Sequence, residues 1–424
     1  MKKVLIISHL WPYRRGSKRV IGLAKYLSDF GWKPIVLTGP IWGKPELEFD
    51  FIETDYIGFM GSLMRIFSLD AKRDIGEQLK TKLKGTSSKF KSFLKFLYIF
   101  IRMIYAYPDE DKNWKPFAMK AASSLLESEK VDAIISIWPE TSHIVAKELK
   151  IKYKIPWIAD FPDLWSQNYN YCYGPIRRLI DRRLELKTIN LADALTTISQ
   201  PFVKKLMLLH SGKKIYSITH GFDPKEVNTK PANLTSKFTI TYTGQIYPRK
   251  QDPLKILIAL KELILNKEID PNHIEVRFYG SDIYWLEEKI KEYKLSNVVK
   301  KYGSFPREIS LDKQRESQVL LLFNWEDKRE KGVYTGKIFE YLSAQRPILA
   351  TGGLDNDVIE DLLSETKAGV CAIKTEDIKI HLKNFYLEYK EKGKISFNGN
   401  IEKINKYSYP MMAKNFAEIL DKLV

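Results

Sequence analysis

Cysteine is almost missing from this chain of 424 residues: Cys172 and Cys371 are the only two, far apart and in no metal-ligand spacing. A disulfide scaffold is excluded, and the low usage fits a reducing cytoplasm. Histidine is scarce as well. None of the six (His9, His143, His210, His220, His273 and His381) stands at helical metal spacing with a glutamate. There is no Gly-x-Ser-x-Gly elbow, no phosphate-loop Gly-Lys-Ser and no dinucleotide glycine fingerprint. Hydrolase, ATPase and NAD-dependent chemistries each lose their main support. The apolar run near the N-terminus, Val4-Leu5-Ile6-Ile7, is too short for a signal peptide. It is followed by His9-Leu10-Trp11-Pro12-Tyr13 in place of a small-residue cleavage site, and so reads as a buried first strand.

What remains is globular material with an excess of positive charge. Hydrophobic residues make up 44% and charged residues 29%, and the length suits two domains, each able to bury a core. The net charge of +17 attracts nucleic acid, anionic headgroups or phosphorylated substrates. Aromatics reach 12%, but no RNA-binding aromatic signature and no Lys/Arg tract occurs, so nucleic acid is not an expected partner.

Short apolar strands alternate with amphipathic helices, twice over. The first half predicts strands at 3–8, 33–38, 132–137, 156–160 and 194–198, with helices at 17–30, 141–152 and 176–190. Gly31 closes the first helix. The second half predicts strands at 238–243, 274–279, 298–302, 318–323, 347–351 and near Val370, with a helix at about 336–344. The alternation implies an α/β fold with parallel sheets and right-handed crossovers. Gly244, Gly280, Gly303 and Gly352 follow strands, at the edge where open α/β sheets bind ligands. Pro224, Pro231, Asn233 and Ser236 break the pattern and set a domain boundary. The first domain is expected at 1–225, joined by a returning helix at 404–424, and the second at 226–403. Segment 80–107 is basic and helical, with a dense apolar stretch from Phe93 to Ile104 interrupted by Lys95 and Arg102. It has roughly half the ~20 residues a spanning helix needs. An interfacial helix on anionic lipid and a packing helix in the first domain both remain open.

Two loops carry the chemistry. Lys331-Gly332-Val333-Tyr334-Thr335-Gly336-Lys337-Ile338-Phe339-Glu340 opens a helix through a glycine-containing loop. Free amides at a helix start favour a diphosphate, and Lys337 adds a cation. Glu340, three residues on, shares that face and can accept both hydroxyls of a ribose. In Tyr242-Thr243-Gly244-Gln245-Ile246-Tyr247-Pro248-Arg249-Lys250, a strand stops at glycine and two adjacent cations follow, which also suits a diphosphate. The plainer alternatives are a capped core helix and an ordinary βα loop with solvated charges.

Together these motifs resemble the donor domain of the GT-B fold glycosyltransferases, family 4 in particular. Lys250 stands at the family's spacing after Gly244. Gln245 replaces an Arg common there, and Arg249 is the cation offered instead. Glu340 matches the second of the family's two glutamates, the ribose ligand, while Gly332 occupies the first position. Lys337-Ile338-Phe339-Glu340-Tyr341 is similar to the Lys-Leu-Phe-Glu-Tyr helix start of one subgroup. In the first half, Asp160-Phe161-Pro162-Asp163-Leu164-Trp165 resembles that subgroup's Asp-x-Arg-Asp-Pro-Trp strand end, with Pro162 in place of Arg. Residues 107–118, 192–199 and 218–223 extend the likeness over nearly the whole chain.

The resemblance implies two Rossmann-like domains facing across a cleft, the first for the acceptor and the second for the donor. It implies transfer of a sugar, with retention, from a UDP- or GDP-linked nucleotide sugar to a saccharide or lipid-linked acceptor. The setting would be cell-surface polysaccharide or glycolipid synthesis, with no metal and no cofactor beyond the co-substrate. Gly16 would bring the first domain's backbone near the donor, beside the donor-site residues Gly244, Arg249, Lys250, Lys337 and Glu340. His143 would approach the donor sugar, and Asp163 would orient or deprotonate the acceptor hydroxyl. Asp355-Asn356-Asp357 looks like a metal motif but reads as a helix cap. The expected location is cytoplasmic, peripheral on the inner face of the cell membrane. A nucleotide-sugar 2-epimerase and a non-catalytic basic binding protein are the competing readings.

Overall fold

The computed structural model describes residues 1–9, 17–41, 48–56, 106–170, 174–227, 232–280 and 284–424. The chain divides into two compact units, Met1–Thr219 with Met412–Val424, and His220–Met411.

The first unit is built on seven parallel strands: β1 (Lys2–Ile7), β2 (Trp32–Thr38), β3 (Asp50–Glu53), β4 (Ala133–Ile137), β5 (Trp157–Phe161), β6 (Ala194–Thr197) and β7 (Lys214–Ser217). Their order in the sheet is β3-β2-β1-β4-β5-β6-β7. The central strands β4 and β5 are buried at every residue, as expected of a parallel sheet covered on both faces. Helix α1 (Ser17–Leu27) tightens into a 3-10 turn, and Gly31 ends it at φ +84°.

Further helices of this unit are α2 (Lys115–Ser128), α3 (Glu140–Tyr153), α4 (Pro175–Ile189) and α5 (Gln200–Leu209). A fully buried ion pair organises one edge. Arg19 on α1 clasps Asp160 on β5 through two hydrogen bonds of 2.7 and 2.8 Å, and also donates to the carbonyls of Ile218 and Thr219. The C-terminal helix does return here: Phe416 lies under the Arg19 guanidinium, and Asp421 accepts from the Trp32 indole.

The second unit holds six parallel strands: β8 (Phe238–Thr243), β9 (Ile274–Tyr279), β10 (Val299–Gly303), β11 (Val319–Phe323), β12 (Ile348–Thr351) and β13 (Gly369–Ala372). Their order is β10-β9-β8-β11-β12-β13, so the winding reverses between β8 and β11. Its helices are α6 (Leu254–Leu265), α7 (Tyr284–Glu292), α8 (Arg307–Arg315), α9 (Gly336–Ala344), α10 (Val358–Thr366), α11 (Thr375–Lys392) and α12 (Ile401–Asn405). Helix α13 (Tyr409–Leu423) leads back to the first unit. Strand β11 shows the two-residue period directly. Val319, Leu321 and Phe323 join the core with α6 and α11, while Leu320 and Leu322 join the core with α9 and α10.

Among the described residues, no helix is long and apolar enough to cross a membrane. Segment 80–105 and Gly16, both singled out in the sequence, lie outside the described residues.

Candidate functional site

The carboxyl end of β8, at the reversal of strand order, is where an open α/β sheet leaves a crevice. Gly244 leaves the strand at φ +117°, and its amide donates to the Tyr279 carbonyl over 2.6 Å. A side chain there would collide with Lys337, whose Cε lies 2.3 Å from the position of a Cβ. Gly280 at the end of β9 is under the same constraint, since its Cβ would fall 2.0 Å from the Gly244 carbonyl oxygen. Glycine is therefore required at both positions by close approach as well as by backbone angle.

Lys337, in the first turn of α9, lays its stem over Gly244 and donates to the Gln245 carbonyl over 3.2 Å. Gln245 thus contributes its backbone carbonyl to this contact. The helix is fixed against the strand by Tyr341. Its buried hydroxyl accepts from the Thr243 amide at 3.0 Å, and Gln314 donates to the Thr243 hydroxyl at 2.9 Å. No side chain caps the N-terminus of α9, in contrast to α5 and α10, whose first turns are capped by Ser199 and Asp357. The start of α9 therefore keeps the partial positive charge of uncapped amides.

The loop ahead of α9 is shaped from below. Asp357 accepts from the Val358 amide at 2.8 Å and from the Gly332 amide at 3.1 Å. Asp357 is thus a buried helix cap, as its sequence context suggested, and no metal cluster occurs among the described residues.

Two of the three remaining charged candidates of this unit already have partners. Lys250 bonds Asp327 at 2.6 Å. Arg329 and then Lys250 hold the Asp327 carboxyl well below the usual aspartate range. Glu340 bonds Arg307 at 2.8 Å, and Arg307 also bonds Glu226 at 2.5 Å. Arg249 is exposed, in a left-handed conformation at φ +65°.

Beside Gly244 lies a cavity of about 350 Å³ across the ends of β8, β9 and β10. Tyr279 and Tyr302 stack in its wall with ring centres 4.8 Å apart, and Phe305 meets Tyr279 edge-on. Sequence reasoning missed this wall. Its trace was there: a Tyr-Gly pair ends both β9 and β10.

The first-unit candidates stand apart from each other in character. His143 on α3 is 3% exposed. Its Nδ1 shares a hydrogen bond of 2.7 Å with the Ser136 hydroxyl, and its ring stacks on Phe161. Burial pushes its pKa down to about 3, so the ring is neutral. Asp163, in the loop after β5, is exposed at its surface, yet desolvation by the surrounding protein raises its carboxyl above the usual aspartate value.

No family model matches the chain. A curated relative, glutamyl-tRNA reductase from Picrophilus torridus, is 23% identical over 176 residues. That stretch takes in 42% of this chain and 39% of that protein, too little to place the chain in its family. The solved structures match along the full length. Sucrose-phosphate synthase from Thermosynechococcus elongatus superposes with a TM-score of 0.64 at 12% identity, covering 100% of this chain and 99% of that one. WaaG, a glycosyltransferase involved in lipopolysaccharide biosynthesis, gives 0.56 at 10%, covering 98% and 99%. UDP-GlcNAc 2-epimerase from Methanocaldococcus jannaschii gives 0.52 at 12%, covering 100% of both. The fold is therefore the paired Rossmann-like architecture of the GT-B class.

Proposed function

We propose that the chain is a glycosyltransferase whose second unit binds a nucleotide-diphosphate sugar at the carboxyl end of β8. One observation carries the reading: Lys337 lies directly over Gly244, at the uncapped start of α9, beside a cavity walled by stacked tyrosines. A diphosphate fits the amides and Lys337, with Arg249 and Lys250 as further cations. Glu340 is assigned the ribose hydroxyls, and Tyr279 with Tyr302 the base. Helix dipole and cations would stabilise the leaving diphosphate as the glycosidic carbon–oxygen bond breaks. Lys250 must exchange Asp327 for phosphate, and Glu340 must share Arg307 with the sugar hydroxyls.

In the first unit, Asp163 is the group assigned to the acceptor hydroxyl, its raised pKa favouring proton uptake. His143 is neutral and packed, so its part is positioning, through its hydrogen bond to Ser136. The acceptor is a saccharide or a lipid-linked saccharide, transfer proceeds with retention, and the protein works on the cytoplasmic side at an anionic membrane surface. Epimerisation of the donor is the second reading, because the fold is also that of a UDP-GlcNAc 2-epimerase.

A thermal-shift screen of UDP-, GDP- and ADP-sugars tests the donor site. A ligand at a hundredfold its Kd adds about 2.7 kcal/mol to native stability. One nucleotide class should raise the melting point of the wild type, and Lys337→Ala and Glu340→Ala should blunt the rise without lowering the unliganded melting point. No shift with any nucleotide sugar would remove the reading. Conversion of the donor sugar without an acceptor would favour the epimerase.

A further inference from the structure

Helix α4 is built inside out. In the repeat that normally faces a core, positions 176, 179, 180, 183, 186 and 187 all point to solvent. Ile176 is 77% exposed and Leu179 52%, with Ile180 and Leu186 exposed as well. The buried face instead carries Arg177, Asp181 and Glu185. These are fully engaged. Arg177 bonds Asp181 at 2.9 Å and donates to the carbonyls of Ala106 and Pro108. Glu185 accepts from the Ser166 amide and hydroxyl and bonds His210. The polar side of α4 is locked into the first unit, so its apolar side cannot rotate inward without orphaning buried charges.

The charges on the outward face have one sign. Arg182, Arg183 and Lys187 are exposed and form no ion pair among the described residues. Both acids of the helix are on the buried side.

We infer that this face of α4 docks on an anionic lipid bilayer, apolar side chains entering the headgroup boundary and arginines meeting lipid phosphates. A strongly cationic polar component with Ile and Leu between is the composition that binds in the interfacial plane. Charge decides against a second copy of the chain. A twofold interface sets a patch against itself, which would press Arg182, Arg183 and Lys187 against their own equivalents. Anionic headgroups supply the missing counter-charge. The surface stands independently of the proposed transfer activity, because lipid binding is read without donor or acceptor.

The test is flotation of the full chain with vesicles of phosphatidylcholine alone or mixed with phosphatidylglycerol. Wild type should float with the mixed vesicles and stay behind with the neutral ones. The triple variant Arg182→Gln, Arg183→Gln, Lys187→Gln should lose roughly a hundredfold in partitioning, from the contribution of each basic residue. Ile176→Ser with Ile180→Ser should weaken binding at unchanged charge. All five positions are exposed, and unchanged thermal unfolding of both variants verifies their folding. Equal binding of wild type and variants, or no preference for the anionic lipid, overturns the inference. So does self-association in solution that the same substitutions abolish.

Discussion

At the scale of single residues, what mattered was what each side chain meets, and sequence shows that unevenly. Gly244 and Lys337 were readable because strand-glycine and helix-start patterns are local. The partners of Lys250 and Glu340 were not. Asp327 and Arg307 lie 77 and 33 residues away and reach the site only through the fold. His143 shows the opposite limit: its position after β4 suggested an approachable imidazole, while the folded chain stacks it on Phe161. That burial has a measurable sign. Its pKa falls from the ordinary 6.5 to about 3, so the unfolded chain binds a proton through a window in which the native one does not. The stability this supplies is fully present above pH 6.5 and is lost as pH falls toward 3, at about 1.4 kcal/mol per pH unit. Unfolding free energies from urea titrations between pH 7 and pH 4.5 should fall less steeply in His143→Gln, by close to one proton. Parallel curves for the two proteins would mean the ring titrates normally.

Among the elements, α9 and α4 mark the two ends of legibility. The bounds of α9 followed from its glycine start and apolar period, and the structure gives Gly336–Ala344. What sequence did not show is its tether to β8. The Thr243 amide donates to the Tyr341 hydroxyl, one residue after Glu340, so this bond sets where Lys337 and Glu340 stand above the sheet edge. Tyr341→Phe removes the acceptor and strands a buried amide, at a cost of about 1–3 kcal/mol. Denaturant unfolding should register that loss, and the donor KM should rise by less than in Lys337→Ala. A variant with wild-type stability and KM would show that α9 is held by its apolar contacts alone. Helix α4, expected at 176–190 and found at Pro175–Ile189, was legible as a helix but not in its orientation. Periodicity identifies an apolar stripe, but it does not say whether the stripe meets a core or a different solvent. Only the burial of Arg177, Asp181 and Glu185 reverses the ordinary reading.

For the molecule as a whole, strand-helix alternation written twice was enough for two parallel sheets, because parallel strands need crossovers and buried strands need apolar runs. The order of strands within each sheet, and so the place of each reversal, is a tertiary fact that no local pattern carries. The reversal between β8 and β11 falls at the Gly244 edge, and the cavity beside that edge runs on across the ends of β9 and β10, where Gly280 and Gly303 also line it. If that edge is the donor seat, occupancy must be local to the second unit. Hydrogen exchange with saturating nucleotide sugar, or its nucleoside diphosphate, should slow the amides of residues 244–251, 279–280, 302–305 and 331–340. The central strands β1, β4 and β5 of the first unit should keep their rates, since no part of the proposed seat is built from them. Protection centred on the ends of β1 and β4 instead would put the nucleotide on the other sheet, and with it reverse the assignment of donor and acceptor.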